Sequence, residues 1–196
     1  NPTLVNGSIY TVAFAGLDAV GNSTTVSNTL VTFDTSPPSA PSTVTVVTTG
    51  GTVVSNYWNG TNTGVNLGIN IPNDASLVSG TVQIEARISS GTFATIASTS
   101  SSTIATVSTT KTMSITNVAI QAITGYTQGV SLEFRARLID QAGNVPSAFT
   151  TSATQLFVDT IKPTILSSAF FANLTAPTGN DALFTTCSGT TRDKST

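Results

Sequence analysis

Charge is what this 196-residue chain has least of. Only 8% of its residues are Asp, Glu, Lys or Arg, against about 25% in an ordinary globular domain. Its seven Lys and Arg residues form no basic patch that could neutralise a run of phosphates, so the sequence points away from nucleic acid. Histidine is absent. That removes the commonest general base and the usual activator of a nucleophile. The single cysteine, Cys187, cannot close a disulfide within the chain and excludes a disulfide-stapled scaffold. With no histidine beside it, it reads as a plain thiol. No stretch reaches the ~20 apolar residues that a membrane-crossing helix needs. No signal peptide opens the chain, which starts mid-pattern at Asn1–Leu4 and so reads as a piece of a longer protein. Glu85 and Glu133 are the only glutamates. Both are expected on strands, facing outward, and nothing sets them as a carboxylate pair in a cleft. The expectation is a protein that is not an enzyme.

What fills the space is β-forming. Val, Ile and Thr are abundant, which suits a pleated, half-buried surface. Helix-favouring Glu, Lys, Arg and Met are scarce, so long helices are not expected. Net charge is -2, and solubility rests on Ser and Thr hydroxyls. The fold class is all-β.

The chain repeats itself. Tyr10–Asn22 (YTVAFAGLDAVGN) and Leu132–Asn144 (LEFRARLIDQAGN) each carry an alternating strand that ends in Asp-x-x-Gly-Asn. Each continues into a second strand that ends in Phe-Asp or Phe-Val-Asp, then Thr-x-x-Pro. Asp18 matches Asp140 and Asn22 matches Asn144, at an offset of 122 positions; Asp34 matches Asp159, at 125. Two motifs at nearly one offset make a specific signal. In the second copy Leu132, Phe134, Ala136 and Leu138 alternate with Glu133, Arg135 and Arg137, the pattern of an antiparallel sheet with one wet face. Gly21 and Gly143 suit the turn, since glycine takes positive φ without a steric penalty. The Asp carboxylates suit it too, as acceptors of turn amides.

Prolines then stop the pairing. Asp34-Thr35-Ser36-Pro37-Pro38 and Asp159-Thr160-Ile161-Lys162-Pro163 read as short, stiffened linkers that would string domains into a semi-rigid rod. This places one complete domain at 36–160. Residues 1–35 become the closing strands of a preceding unit, and 161–196 the start of a following repeat or a C-terminal tail. Strands are expected at 43–48, 65–71, 81–89, 92–97, 103–107, 111–118, 130–139 and 151–158. That number of short strands in one domain fits a Greek-key sandwich.

These residues resemble the bacterial Ig-like repeats of very large surface adhesins, which end in an Asp-x-Ala-Gly-Asn hairpin and join through Asp-Thr-x-x-Pro linkers. The likeness lies in residues 8–40 and 130–165; the stretch 98–125 has no counterpart. It implies Ig-like β-sandwich repeats, one complete domain with flanking partial ones. It also implies an extracellular, cell-surface location and a stalk-like role in adhesion, motility or envelope structure. The implied partners are other repeats, neighbouring subunits, surface glycans or surface proteins.

Some repeats of this kind hold Ca²⁺ at domain junctions, and calcium takes 6–8 oxygen ligands. The candidate set here is Asp18, Asn22 and Asp34, repeated as Asp140, Asn144 and Asp159. The same residues also read as turn-closing and strand-ending Asx residues with no metal. Tyr57 and Trp58, in a polar Gly-containing stretch, read either as a ligand-stacking pair or as rings covering the sandwich edge. Asn6, Asn22, Asn59 and Asn173 each begin an Asn-x-Ser/Thr triplet, the N-glycosylation pattern. A third role left open is a filament or sheath subunit that assembles by strand addition.

Overall fold

Apolar side chains at every second position build most of the strands here, because successive residues of a strand point to opposite faces. The structure is a computed structural model that describes residues 3–96, 101–146 and 148–163. The chain divides into two units, Asn1–Ile161 and Lys162–Thr196. In chain order the strands of the first unit are β1 (Ser8–Leu17), β2 (Ser23–Phe33), β3 (Val44–Thr49), β4 (Tyr57–Asn59), β5 (Gly64–Ile71), β6 (Thr81–Ile88), β7 (Ala94–Thr95), β8 (Ser101–Thr103), β9 (Thr109–Thr116), β10 (Ser131–Ile139), β11 (Thr150–Thr151) and β12 (Leu156–Asp159). A short helix, α1 (Asn117–Gln121), follows β9.

The first unit is an all-β sandwich preceded by a hairpin. One sheet runs β4-β12-β10-β6-β7, with β8 also on β6 and β11 on β10; the other runs β3-β5-β9. All pairings are antiparallel except β4 on β12. The core lies between the sheets. Val44, Val46, Leu67, Ile69 and Ile115 come from the smaller sheet, and Ile84, Leu132, Phe134, Leu138 and Val158 from the larger. Burying each such side chain contributes about 1.5–3 kcal/mol. Every core residue falls between Val44 and Val158. Among the described residues the β1–β2 hairpin contributes none, and its strands pair only with each other.

The expected strands at 43–48, 65–71, 81–89 and 130–139 are present as β3, β5, β6 and β10. The expected strand at 92–97 shrinks to the short β7; the one expected at 103–107 is not there, the chain forming β8 just before it and leaving 104–107 without strand. The one expected at 111–118 is shifted to β9 and stops at Thr116. There the Thr116 hydroxyl accepts the Ala119 amide and caps α1, which buries Ala119 and Ile120. The last expected strand, 151–158, is broken into β11 and β12. The parallel edge strand β4 lies where no strand was expected.

The outer face of the larger sheet carries both glutamates and three arginines. Glu133 lies opposite Arg87, Arg135 opposite Glu85, and Arg137 opposite Gln83. Arg87–Glu133 and Arg135–Glu85 are ion pairs. Phe93 stacks between Arg87 and Arg135, 4.4 and 4.1 Å from ring centre to guanidinium. Phe149 stacks between Arg135 and Arg137, at 4.0 and 4.7 Å. Direct cross-strand pairing of opposite charges and cation–π stacking reinforce each other on this face.

Candidate functional site

The two Asp-x-x-Gly-Asn stretches fold into the same object. In the first, Asp18 Oδ1 accepts the Asn22 amide at 2.7 Å and Asp18 Oδ2 accepts Asn22 Nδ2 at 2.7 Å. In the second, Asp140 does the same with Asn144 at 2.8 and 3.0 Å. Backbone closure matches as well: Gly21 N donates to Asp18 O and Gly143 N to Asp140 O. The two glycines sit at φ 95 and 91, where any other residue would be strained. The Asn22 side chain and backbone, with the Val20 and Gly21 amides, hold the Asp18 carboxyl below its ordinary range.

Strand register carries the repeat further. Tyr10 pairs with Val31 in the hairpin, and Leu132 with Leu156 in the sandwich. These are equivalent pairs under the two offsets. The rise in offset from 122 to 125 falls between Asn144 and Leu156, where β11 and β12 part. In that break Ser152 is buried and its hydroxyl donates to Thr154 O.

A second device was not legible as such. Asn6 Oδ1 accepts the Thr35 amide at 2.6 Å and its hydroxyl at 3.0 Å. Gln128 Oε1, at the equivalent position, accepts the Thr160 amide at 2.8 Å and its hydroxyl at 3.1 Å. The next residues, Gly7 and Gly129, donate to Phe33 O and Val158 O. An Asn/Gln-Gly step ahead of the first strand therefore latches the Asp-Thr exit of the last. The signal that could have found it is this dipeptide at the same 122-residue offset; Asn6-Gly7-Ser8 reads as a glycosylation triplet when taken alone. Inside each exit, Asp34 Oδ1 accepts Ser36 N at 3.0 Å and Asp159 Oδ1 accepts Ile161 N at 3.4 Å.

Turn and exit meet once. Asn144 Nδ2 donates to the backbone carbonyl of Asp34 at 3.1 Å. Beside it Gln141 N donates to Ser76 O, Asp140 is buried, and Pro38 and Pro41 of the linker are buried too. Thr150 Oγ1 holds Pro41 O at 2.6 Å. The stiffened linker expected at 34–38 is thus pinned to the sandwich.

The six candidate metal ligands do not meet at one point: Asn144 joins Asp140 to the Asp34 carbonyl, while Asp18 with Asn22 and Asp159 stay apart from them. Asp18 sits at the hairpin tip and Asp34 at its base. The ladder between them runs from Ser8 to Leu17, about 30 Å at strand rise. Asp140 follows the Ile139 end of β10, while Asp159 lies beside the Ser131 end. Among the described residues no three acidic, His or Cys side chains cluster. The carboxylates already accept amide N–H groups. The set does not fit Ca²⁺, which needs 6–8 oxygens in one place. The turn-closing reading is the one the geometry carries.

Tyr57 and Trp58 are separated by the strand they share. Trp58 is 1% exposed, and its Nε1 donates to Tyr126 Oη at 2.9 Å. It is a core residue and offers no face to a ligand. Tyr57 points the other way, half-exposed and edge-on to Phe157, with ring centres 6.1 Å apart. Adjacent strand residues cannot form one stacking platform. The amide nitrogens of Asn6, Asn22 and Asn59 all donate, to Ser36 Oγ, Asp18 Oδ2 and Thr52 O. Asn173 lies outside the described residues, as does Cys187. Glu85 and Glu133 lie on the outer face of the larger sheet, each committed to an arginine, but Glu133 is buried there rather than set among exposed polar neighbours. No helix among the described residues is long and apolar enough to cross a membrane.

Comparison with protein families, with curated proteins and with solved structures finds no match for this chain.

Proposed function

We propose that this chain is a structural segment of an extracellular bacterial surface protein, a run of Ig-like sandwich repeats that serves as stalk, adhesin or filament component rather than as an enzyme. The observation that supports it is the duplicated junction hardware. Two Asp-x-x-Gly-Asn turns and two Asn/Gln-Gly latches repeat with the same hydrogen bonds, and Asn144 binds the exit of one hairpin to the turn of the next unit. Rigid joints of this kind serve a load-bearing or spacing role, and they are spent on geometry rather than on a pocket. The low charge and the Thr- and Ser-rich surface suit a long array of neighbouring repeats. Carbohydrate binding through an aromatic platform loses its main residue with Trp58 buried.

The test is location. Intact cells producing the parent protein are treated with a protease and stained with an antibody to residues 36–160. Surface staining lost on proteolysis is expected; signal only in lysed cells sinks the reading.

A further inference from the structure

We infer that the β1–β2 hairpin is the closing half of a larger sheet, and that its apolar face and free β1 edge are a docking surface for the opening part of another sandwich repeat. The register names what is missing. Tyr10, Val12 and Phe14 stand where Leu132, Phe134 and Ala136 stand in the sandwich; Val31 and Phe33 stand where Leu156 and Val158 stand. The sandwich residues are 0–1% exposed beneath the β3-β5-β9 sheet, whereas Phe14 is 72% exposed and Val31 45%. Paired residues share a face, so Tyr10 with Val31 and Phe14 with Val26 form one apolar stripe. The edge is equally incomplete. β10 pairs with β6 from Leu132 to Ile139, while β1 pairs only with β2 among the described residues. A two-stranded ribbon is marginal alone, and an open edge beside an apolar face invites pairing.

The occupant follows from the same register. It presents an antiparallel strand to β1, as β6 does to β10, and a Val/Ile/Leu-faced sheet to the stripe, as β3-β5-β9 does here. On the outer face of β10 stand Glu133, Arg135 and Arg137; β1 has Thr11, Ala13 and Ala15 at those positions. The partner strand is therefore uncharged on its outer face, since a lone charge opposite alanine would find no cross-strand partner. The occupant is the opening part of a repeat, the counterpart of residues 39–127.

This inference rests on the tandem-repeat reading, but the two fail separately: the surface location can fail while the hairpin still docks, and the reverse. The test is amide hydrogen exchange in two proteins. In the chain as it stands, β1 and β2 amides are expected to exchange at least about 100-fold faster than β10 amides, as expected of a low-stability segment. Protection equal to β10 would overturn the proposal, because the hairpin would then need no partner. In the second protein, residues 39–131, with Glu85 and Arg87 changed to threonine, are fused ahead of Tyr10 of the full chain. There β1 amides are expected to slow by about 100-fold or more. Phe14→Asp removes that gain and Ala15→Asp, on the outer face, keeps it. A hairpin that still exchanges freely, or that responds alike to both substitutions, overturns the proposal.

Discussion

Asn144 and Asp34 are 110 positions apart in sequence and are joined by a hydrogen bond of 3.1 Å from the Asn144 side-chain amide to the Asp34 carbonyl. The same amide donates to Asp140 at 3.0 Å, so one turn both closes itself and holds the neighbouring exit.

Asn144→Ala removes the donor to both. The expected loss of sandwich stability is about 1 kcal/mol, the net worth of an ordinary hydrogen bond, measured by urea unfolding. Asp140→Ala should lose more, about 1–3 kcal/mol, because it leaves the partly buried Asn144 backbone N–H without its acceptor. Asn22→Ala, in the exposed turn, should leave the sandwich transition where it is. Equal effects at Asn22 and Asn144 would contradict the junction role.

Trp58→Ala should cost about 3–5 kcal/mol, the range for emptying a core site of an aromatic ring, and strand the Tyr126 hydroxyl besides. Tyr57→Ala should cost about 0.5–1.5 kcal/mol, the worth of an edge-on aromatic contact. Thermal melts of the two variants rank them; the reverse order would refute the assignment of faces.

Arg135 touches Glu85, Phe93 and Phe149 at once. Lysine keeps the charge but not the planar stack or the fork of donors, so Arg135→Lys should destabilise. A double-mutant cycle with Glu85→Gln should show coupling of about 0.5 kcal/mol or more. Additive losses would mean that the pair contributes little, as exposed ion pairs often do.

Asp18 should titrate below its usual range, because Asn22 hydrogen-bonds its charged form. A depressed native pKa gives stability that is present above the unfolded value, about 3.9, and lost as pH falls through the native value. Carboxyl chemical shifts followed by NMR from neutral pH downward should place its midpoint below 3.8, and Asn22→Ala should raise it. An unchanged midpoint in that variant would remove the cause assigned here.

Calcium should leave the melting temperature unchanged, with and without chelator, since a ligand that bound only the native state would raise it. A rise with calcium would show that oxygens from elsewhere complete a shell around these aspartates.

The strands of this protein were legible where burial alternates on a two-sided scaffold. Leu132, Phe134, Ala136 and Leu138 announce one buried face, and they are buried. β4 escaped because three residues are too few to show a period. The Thr116 turn into α1 escaped because a threonine in a Thr-rich strand looks like any other. The Asp-x-x-Gly-Asn turns were legible because their hydrogen bonds are local: donor, acceptor and the positive-φ glycine lie within five residues. The Asn6 and Gln128 latches were not, because each spans about thirty positions and depends on how the chain returns.

The sequence by itself determined the all-β class and the duplicated turn, since each arises from the conformational preferences of neighbouring residues. Tertiary structure alone decided which of those polar groups meet. It set Trp58 in the core and Tyr57 outside, held Asp18 and Asp34 at opposite ends of the hairpin, and brought Asn144, closed on Asp140, to Asp34. The physical reason is that sheet register and packing, which act between residues far apart in the chain, choose the contacts, and a strand-length shift of an aspartate separates it from its would-be partners by tens of ångströms.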